Sequence, residues 1–261
     1  MGWEAWSYGI FLFMIGAACG SFFNVVGIRV PKGISVAAPR SSCGSCGRQL
    51  NAVDLIPIFG WFIRRGKCHT CQASISPIYL VGELAGGMLF AALPWLVARD
   101  ELWIAYPLVS VLLMLTVSDL AYMLLPNKII YPAMLGFAAL RLWLHPLPLW
   151  QYAAGFILGG GLLVLVSLAA AWMGRPAMGF GDIRLMALVG LVMGVKLVLM
   201  CIFLSAFLGS LIGLGLIAAG KLDRRSPMPY GPFIAVAGLL CFCFGDPILT
   251  WYMDLVVWQA F

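Results

Sequence analysis

The chain has 261 residues, 63% of them hydrophobic and only 10% charged, with a mean hydropathy of +1.01. That balance excludes a soluble globular domain and places the chain among polytopic membrane proteins. The net charge of +6 does not point to nucleic acid, because the cations are not interleaved with stacking aromatics along a basic stripe.

Apolar runs long enough to cross a bilayer of roughly 30 Å begin near Trp6, Pro77, Leu102, Lys128, Leu149, Ile183, Lys196 and Tyr230. They predict an all-α fold of about eight transmembrane helices, the sixth being the shortest. The first run falls within residues 1–30. No basic segment precedes it, and it ends in Asn24-Val25-Val26-Gly27-Ile28-Arg29 rather than at a small-residue cleavage site, so it is expected to remain as a membrane anchor.

Residues 31–76 form the only sizeable polar stretch, expected to be a loop module between the first helix and the multi-helix region 77–261. It carries Cys43-Gly44-Ser45-Cys46 and Cys68-His69-Thr70-Cys71, two CxxC pairs with 21 residues between them. Four thiolates at this spacing suit a tetrahedral zinc site in which each pair supplies two ligands from a tight turn. The competing reading is two disulfides, and His69 could replace one cysteine as a ligand. A module of 46 residues buries little apolar surface, so metal binding would supply folding free energy directly.

Lys32, Arg40, Arg48, Arg64, Arg65 and Lys67 lie in this loop, and Lys128, Arg175, Arg184, Lys221, Arg224 and Arg225 lie at every second connection after it. The alternate connections hold Arg99, Arg141 and Lys196. By the positive-inside rule the loop is cytosolic and the N-terminus is outside. A cytosolic loop keeps its thiols reduced, which favours metal over disulfides.

Two acids fall at helix ends on that same side. Asp119 stands in Ser118-Asp119-Leu120-Ala121-Tyr122-Met123-Leu124-Leu125-Pro126-Asn127, toward the end of the third run, and Asp182 in Gly179-Phe180-Gly181-Asp182 opens the sixth. Ionisable residues in or near hydrocarbon are costly and persist mainly where they are used. Two carboxyls sharing a site split their protonation states, so that one acts as base toward water and the other as acid toward a leaving nitrogen. Because a helix start favours an anion and a helix end disfavours one, Asp182 is expected to hold the charge. Glu83, within the second run, is read either as a headgroup-facing side chain or as part of a substrate or cofactor site. Gly155 with Gly159, and Gly209 with Gly213, have the four-residue spacing of close helix packing.

The segments Gly20-Ser21-Phe22-Phe23-Asn24, the paired CxxC loop, Asp54-Leu55-Ile56-Pro57, Arg65-Gly66-Lys67-Cys68, Glu83-Leu84, the Asp119 segment, Gly179-Phe180-Gly181-Asp182 and Tyr230-Gly231-Pro232-Phe233 stand in this order. In that order they resemble the bacterial type IV prepilin peptidases, GxGD-type membrane aspartyl proteases. The resemblance implies catalytic residues at Asp119 and Asp182 and prepilin or pseudopilin substrates cut after a glycine at the cytosolic face of the inner membrane. It also implies S-adenosylmethionine-dependent N-methylation of the new terminus, associated with the cysteine loop. This chain has Arg184 where the family usually has lysine, and Gly44 where proline is common. A reading from another class is a non-catalytic transporter or secretion scaffold with a zinc-stapled docking loop, in which the two acids would relay ions. Relay acids usually sit near the midplane, whereas these are expected at one surface.

Overall fold

A computed structural model of the chain describes residues 3–174, 178–223 and 226–258. Three cations used in the orientation argument, Arg175, Arg224 and Arg225, lie outside the described residues. Among those described, the chain is all-helical apart from two isolated bridges in the cysteine loop. The helices are α1 (Trp3–Arg29), α2 (Phe59–Ile63), α3 (Pro77–Leu96), α4 (Leu102–Tyr122), α5 (Asn127–Trp143), α6 (Leu149–Trp172), α7 (Phe180–Ala218) and α8 (Gly231–Trp258), with a 3₁₀ turn at Ala52–Leu55. Six of them, all but α2 and α5, are long and apolar enough to cross a membrane. The fourth expected run is the shorter α5, of 17 residues, and the sixth and seventh are joined in the 39-residue α7. The chain divides into two units, Met1–Tyr122 and Met123–Phe261.

In the first unit α1 and α3 cross through glycines on both sides. A Cβ at Gly20 would stand 2.6 Å from the Gly82 carbonyl oxygen, and one at Gly86 would stand 2.5 Å from that of Gly16. Each helix thus presents a four-residue glycine pair, the arrangement that lets backbones approach closely in lipid. The fully buried Asn24 joins the same seam, its Nδ2 donating to the Tyr79 carbonyl at 2.9 Å. Helix α3 starts sharply because the Ser76 hydroxyl accepts from the Ile78 amide and Pro77 occupies the first turn. Helix α4 ends at Tyr122, and Met123 follows in the left-handed region at φ 52°.

In the second unit α7 is two antiparallel arms. Gly194 has φ 77° and ψ −174°, outside helical values. A Cβ on Gly159 of α6 would lie 2.6 Å from the Met186 oxygen and 3.0 Å from the Val198 side chain. A straight helix would separate those two residues by about 18 Å, so the chain reverses at Gly194. Helix α6 packs along both arms, and Gly155 meets Gly190 backbone to backbone. The expected Gly155/Gly159 pairing is therefore a close crossing. Gly209 is not: its nearest neighbours, Tyr230 and Phe233, lie at 3.5 Å and 3.6 Å from a would-be Cβ, ordinary contact. Arg141, 4% exposed, donates from Nε to the Val192 carbonyl at 2.8 Å and lies 4.9 Å from the Tyr152 ring centre. It anchors the reversal to the end of α5.

Candidate functional site

The cysteine loop is built from two matched knuckles. The Cys43 amide donates to the Arg48 carbonyl at 2.8 Å and the Gly47 amide to the Cys43 carbonyl at 2.9 Å. The second knuckle repeats this with Cys68 to Ala73 at 2.9 Å and Gln72 to Cys68 at 3.1 Å. Gly47 and Gln72 take the same left-handed turn, at φ 71° and 55°. The turns bring the four sulfurs of Cys43, Cys46, Cys68 and Cys71 within 4.8 Å of one another. Across the knuckles, Cys43 Sγ stands 3.7 Å from Cys71 Sγ, and Cys46 Sγ stands 4.0 Å from Cys68 Sγ.

A zinc ion bonded to four sulfurs at about 2.3 Å sets sulfur–sulfur edges near 3.8 Å, so the donor set fits a zinc ion. The amides of Cys46 and Ser45 hold the Cys43 thiol down at about 6. Those of Cys71 and Thr70 lower Cys68. At Cys71 the Ala73 amide acts downward, but burial and the other three sulfurs outweigh it and push the thiol up to about 11. His69 is exposed on its turn, outside the sulfur cluster. Of the other cysteines, Cys201 and Cys241 are buried, while Cys19 and Cys243 are partly exposed.

Asp54 holds this module to its flank. It forms ion pairs with Arg48 and with Arg64, whose Nε lies 2.6 Å away, and it accepts from the Asn51 amide at 3.0 Å. Burial alone would raise the Asp54 carboxyl, but the Asn51 amide and the two guanidiniums prevail and hold it below the ordinary carboxylate range. The Asp54-Leu55-Ile56-Pro57 segment leads into a three-residue γ-turn, with the Phe59 amide donating to the Pro57 carbonyl at 2.7 Å and Ile58 at φ 66°. Glu83 on α3 accepts from the Ile58 amide at 2.7 Å. Neither sequence-based reading of Glu83 anticipated this, because a backbone amide leaves no side-chain signature.

Asp119 is 4% exposed on α4, beside the fully buried Ser118. Asp182 belongs to the second unit and is half-buried in the first turn of α7. The two glycines before it have separate steric reasons. A Cβ on Gly179 would stand 3.3 Å from Asp182 Oδ2, and one on Gly181 would stand 2.9 Å from the Leu125 side chain. Arg184 donates to Asn127 Oδ1, and its guanidinium lies 5.8 Å from the Tyr131 ring centre. It thereby fixes the start of α7 against the start of α5.

By helical rise Asp182 is about 18 Å from the Gly194 reversal, level with the part of the second arm that carries Ser205. Ser205 Oγ shares a 2.8 Å hydrogen bond with the Tyr230 hydroxyl. Burial pushes the Tyr230 phenol up, and the hydrogen bond with Ser205 opposes this. Through Ser205, Tyr230 thus stands at the level of Asp182 along the two arms, a placement that its motif, read as sequence, did not reveal.

Residues 14–97 match the model of the bacterial peptidase A24 N-terminal domain, and residues 106–214 that of the type IV leader peptidase family. The prepilin leader peptidase/N-methyltransferase of Bacillus subtilis (strain 168) is 37% identical over 247 residues, covering 94% of this chain and 98% of that protein. The protein of the same name from Aeromonas hydrophila is 32% identical, covering 95% of this chain and 94% of its own length. That from Aeromonas salmonicida (strain A449) is 30% identical, covering 97% and 96%. No solved structure matches significantly. With relatives of this identity aligned along almost the whole length, the chain belongs to the type IV leader peptidase family.

Proposed function

We propose that this protein is a membrane aspartyl endopeptidase that removes the basic leader from type IV prepilins or pseudopilins after a glycine, and that it N-methylates the residue exposed. The observation that carries this reading is the near full-length likeness to prepilin leader peptidase/N-methyltransferases. Asp119 and Asp182 are the catalytic pair. Asp182, in the first turn of α7, holds the charge and takes a proton from water. The water adds to the scissile carbonyl, and Asp119 gives its proton to the departing nitrogen. No covalent enzyme intermediate forms. The pair titrates as one unit, so pH-rate data report values of the pair.

The cation distribution supports a multi-pass protein of the bacterial inner membrane with the loop cytosolic, the N-terminus outside and the cut made from the cytosolic side. There the leader stays in water while the substrate helix lies among the enzyme's helices. Zinc held by Cys43, Cys46, Cys68 and Cys71 is structural, supplying the loop's fold without taking part in hydrolysis. The reading of methylation, with S-adenosylmethionine as donor, rests on the relatives' shared name. Among the described residues no strand-glycine-helix cradle for an adenosyl group is built.

The test incubates the purified protein with a prepilin-like peptide and reads the new N-terminus by mass spectrometry, which reports cutting and methylation together. Asp119→Asn and Asp182→Asn should each abolish cleavage. Normal rates in both variants would remove the peptidase reading.

A further inference from the structure

The loop module has two unlike sides. Its inner side is built: Asp54 gathers Arg48, Arg64 and the Asn51 amide, Gly60 is buried, and the Trp61 ring covers Gly66 so closely that a Cβ there would stand 2.7 Å from it. Its outer side is apolar. Val53, Leu55, Ile56, Phe59, Phe62 and Ile63 are 42–59% exposed, six large side chains within 11 residues. In water such a patch is a liability.

Its position says what covers it. The Glu83 carboxylate binds the Ile58 amide, and Glu83 lies six residues into α3 from Pro77, about 9 Å along a helix that crosses the membrane. A side chain on a helix leans toward the N-terminus, so this contact holds residues 53–63 beside the entering end of α3. That level corresponds to the boundary between headgroups and acyl chains. On α3 itself Val81 and Met88 are 60% and 58% exposed, facing outward as lipid-contacting residues do. Arg65 and Lys67, next in sequence, are exposed cations, whereas Arg64 is turned inward to Asp54.

We infer that residues 53–63 are an in-plane membrane anchor, their outer apolar side chains resting in the leaflet on the loop's side while Arg65 and Lys67 engage anionic phospholipid headgroups. Apolar burial at the interface with flanking cations is the recognised chemistry of such monotopic segments, and each cation near an anionic surface adds to the attraction. The module is thus held at its base by the Glu83 contact and along one side by lipid, and the zinc knuckles stand away from the bilayer. The inference needs only that α1 and α3 cross the membrane, and it holds or fails independently of the peptidase reading.

The test uses the full chain in lipid nanodiscs, one copy per disc, with an apolar carbene-generating photoprobe dissolved in the bilayer and labelled residues mapped by mass spectrometry. Phe59, Phe62 and Ile63 should be labelled as strongly as Val81 and Met88, and at least fivefold more than His69 and Gln72 on the zinc turns. Labelling should rise when phosphatidylglycerol replaces part of the phosphatidylcholine, and Arg65→Gln with Lys67→Gln should abolish that rise. A Phe59→Ser, Phe62→Ser variant that retains its zinc should lose the remaining labelling at Ile63. Labelling at the zinc-turn level would overturn the proposal. So would labelling erased by a prepilin-like peptide, which would give the face to substrate, or labelling suppressed when two copies share a disc, which would give it to a second chain.

Discussion

The Glu83 carboxylate accepts a 2.7 Å hydrogen bond from the amide of Ile58, a residue held at φ 66°. A transmembrane helix thereby grips the backbone of the loop at its most constrained point, and the acid compensates for a conformation that a β-branched residue adopts rarely. Replacing Glu83 with Ala removes a hydrogen bond to a charged group, worth about 1.5–3 kcal/mol. Limited proteolysis between residues 50 and 67 should accelerate at least tenfold, with zinc still bound. Glu83→Gln, which keeps a carbonyl acceptor, should recover most of the protection.

Metal analysis should find one zinc per chain. Cys43→Ser with Cys46→Ser should release it, and the loop should then become protease-sensitive because ligation contributes folding free energy. Methylation should fall while cleavage continues, since the proposed catalytic pair, Asp119 and Asp182, lies on α4 and α7. A zinc-free variant that still methylated at the normal rate would contradict this division.

Asp54 gives the loop a measurable pH response. Its folded-state carboxyl sits below its ordinary value of 3.8, so the stability it contributes is complete above that value and is lost as pH falls through the lower, folded one. Asp54→Asn should weaken the loop at neutral pH, leaving Arg48 and Arg64 without an anionic partner. Because zinc release at acid pH affects both proteins, the informative quantity is the difference between wild type and variant. It should be constant from pH 5 to 7 and shrink below about pH 4.

Tyr230 pairs with Ser205 at the level of Asp182, and its hydroxyl is expected to tune the surroundings of that acid rather than hold substrate. Tyr230→Phe deletes the hydroxyl that pairs with Ser205 while preserving the ring. It should lower kcat about tenfold, a loss of roughly 1.4 kcal/mol, leave KM unchanged and shift the acidic limb of the pH-rate profile. Ser205→Ala should move the same limb by less. A purely structural role would change thermal stability without moving the profile.

Gly190 and Gly155 meet backbone to backbone, so a methyl at Gly190 has nowhere to go. Gly190→Ala should cost about 1–3 kcal/mol by overpacking, read as a lower midpoint of thermal unfolding in detergent. Gly209→Ala, where the same methyl meets side chains at ordinary distance, should be nearly neutral.

Much of the architecture was legible in the apolar runs, because a bilayer imposes a length that composition alone can meet. The four-cysteine cluster was legible for a similar reason, since two tight turns with matched cysteines admit few other geometries. What stayed hidden depends on which partner a residue finds. Among 30 glycines the four-residue spacing marks Gly16/Gly20 and Gly82/Gly86 no more than Gly209/Gly213, and it does not say that the first two pairs face each other while Gly209 packs at ordinary distance. Arg141 counted as one of the few outward cations, yet it is 4% exposed and bonded to the Val192 carbonyl, so its charge serves packing. The two apolar runs on either side of Gly194 read as neighbours, the first the shorter, but the tight reversal at that glycine, which sets how far Asp182 lies from the turn, emerges only from the structure.

That inequality bears on how the protein is made. The arm carrying Asp182, residues 180–193, is 14 residues long, or about 21 Å, short of the roughly 30 Å of hydrocarbon it would have to cross alone. It can be integrated only together with the longer arm behind it, as a pair entering the bilayer at once. The short arm therefore depends on the long one for its place in the bilayer, and the two form one hairpin unit hinged at Gly194.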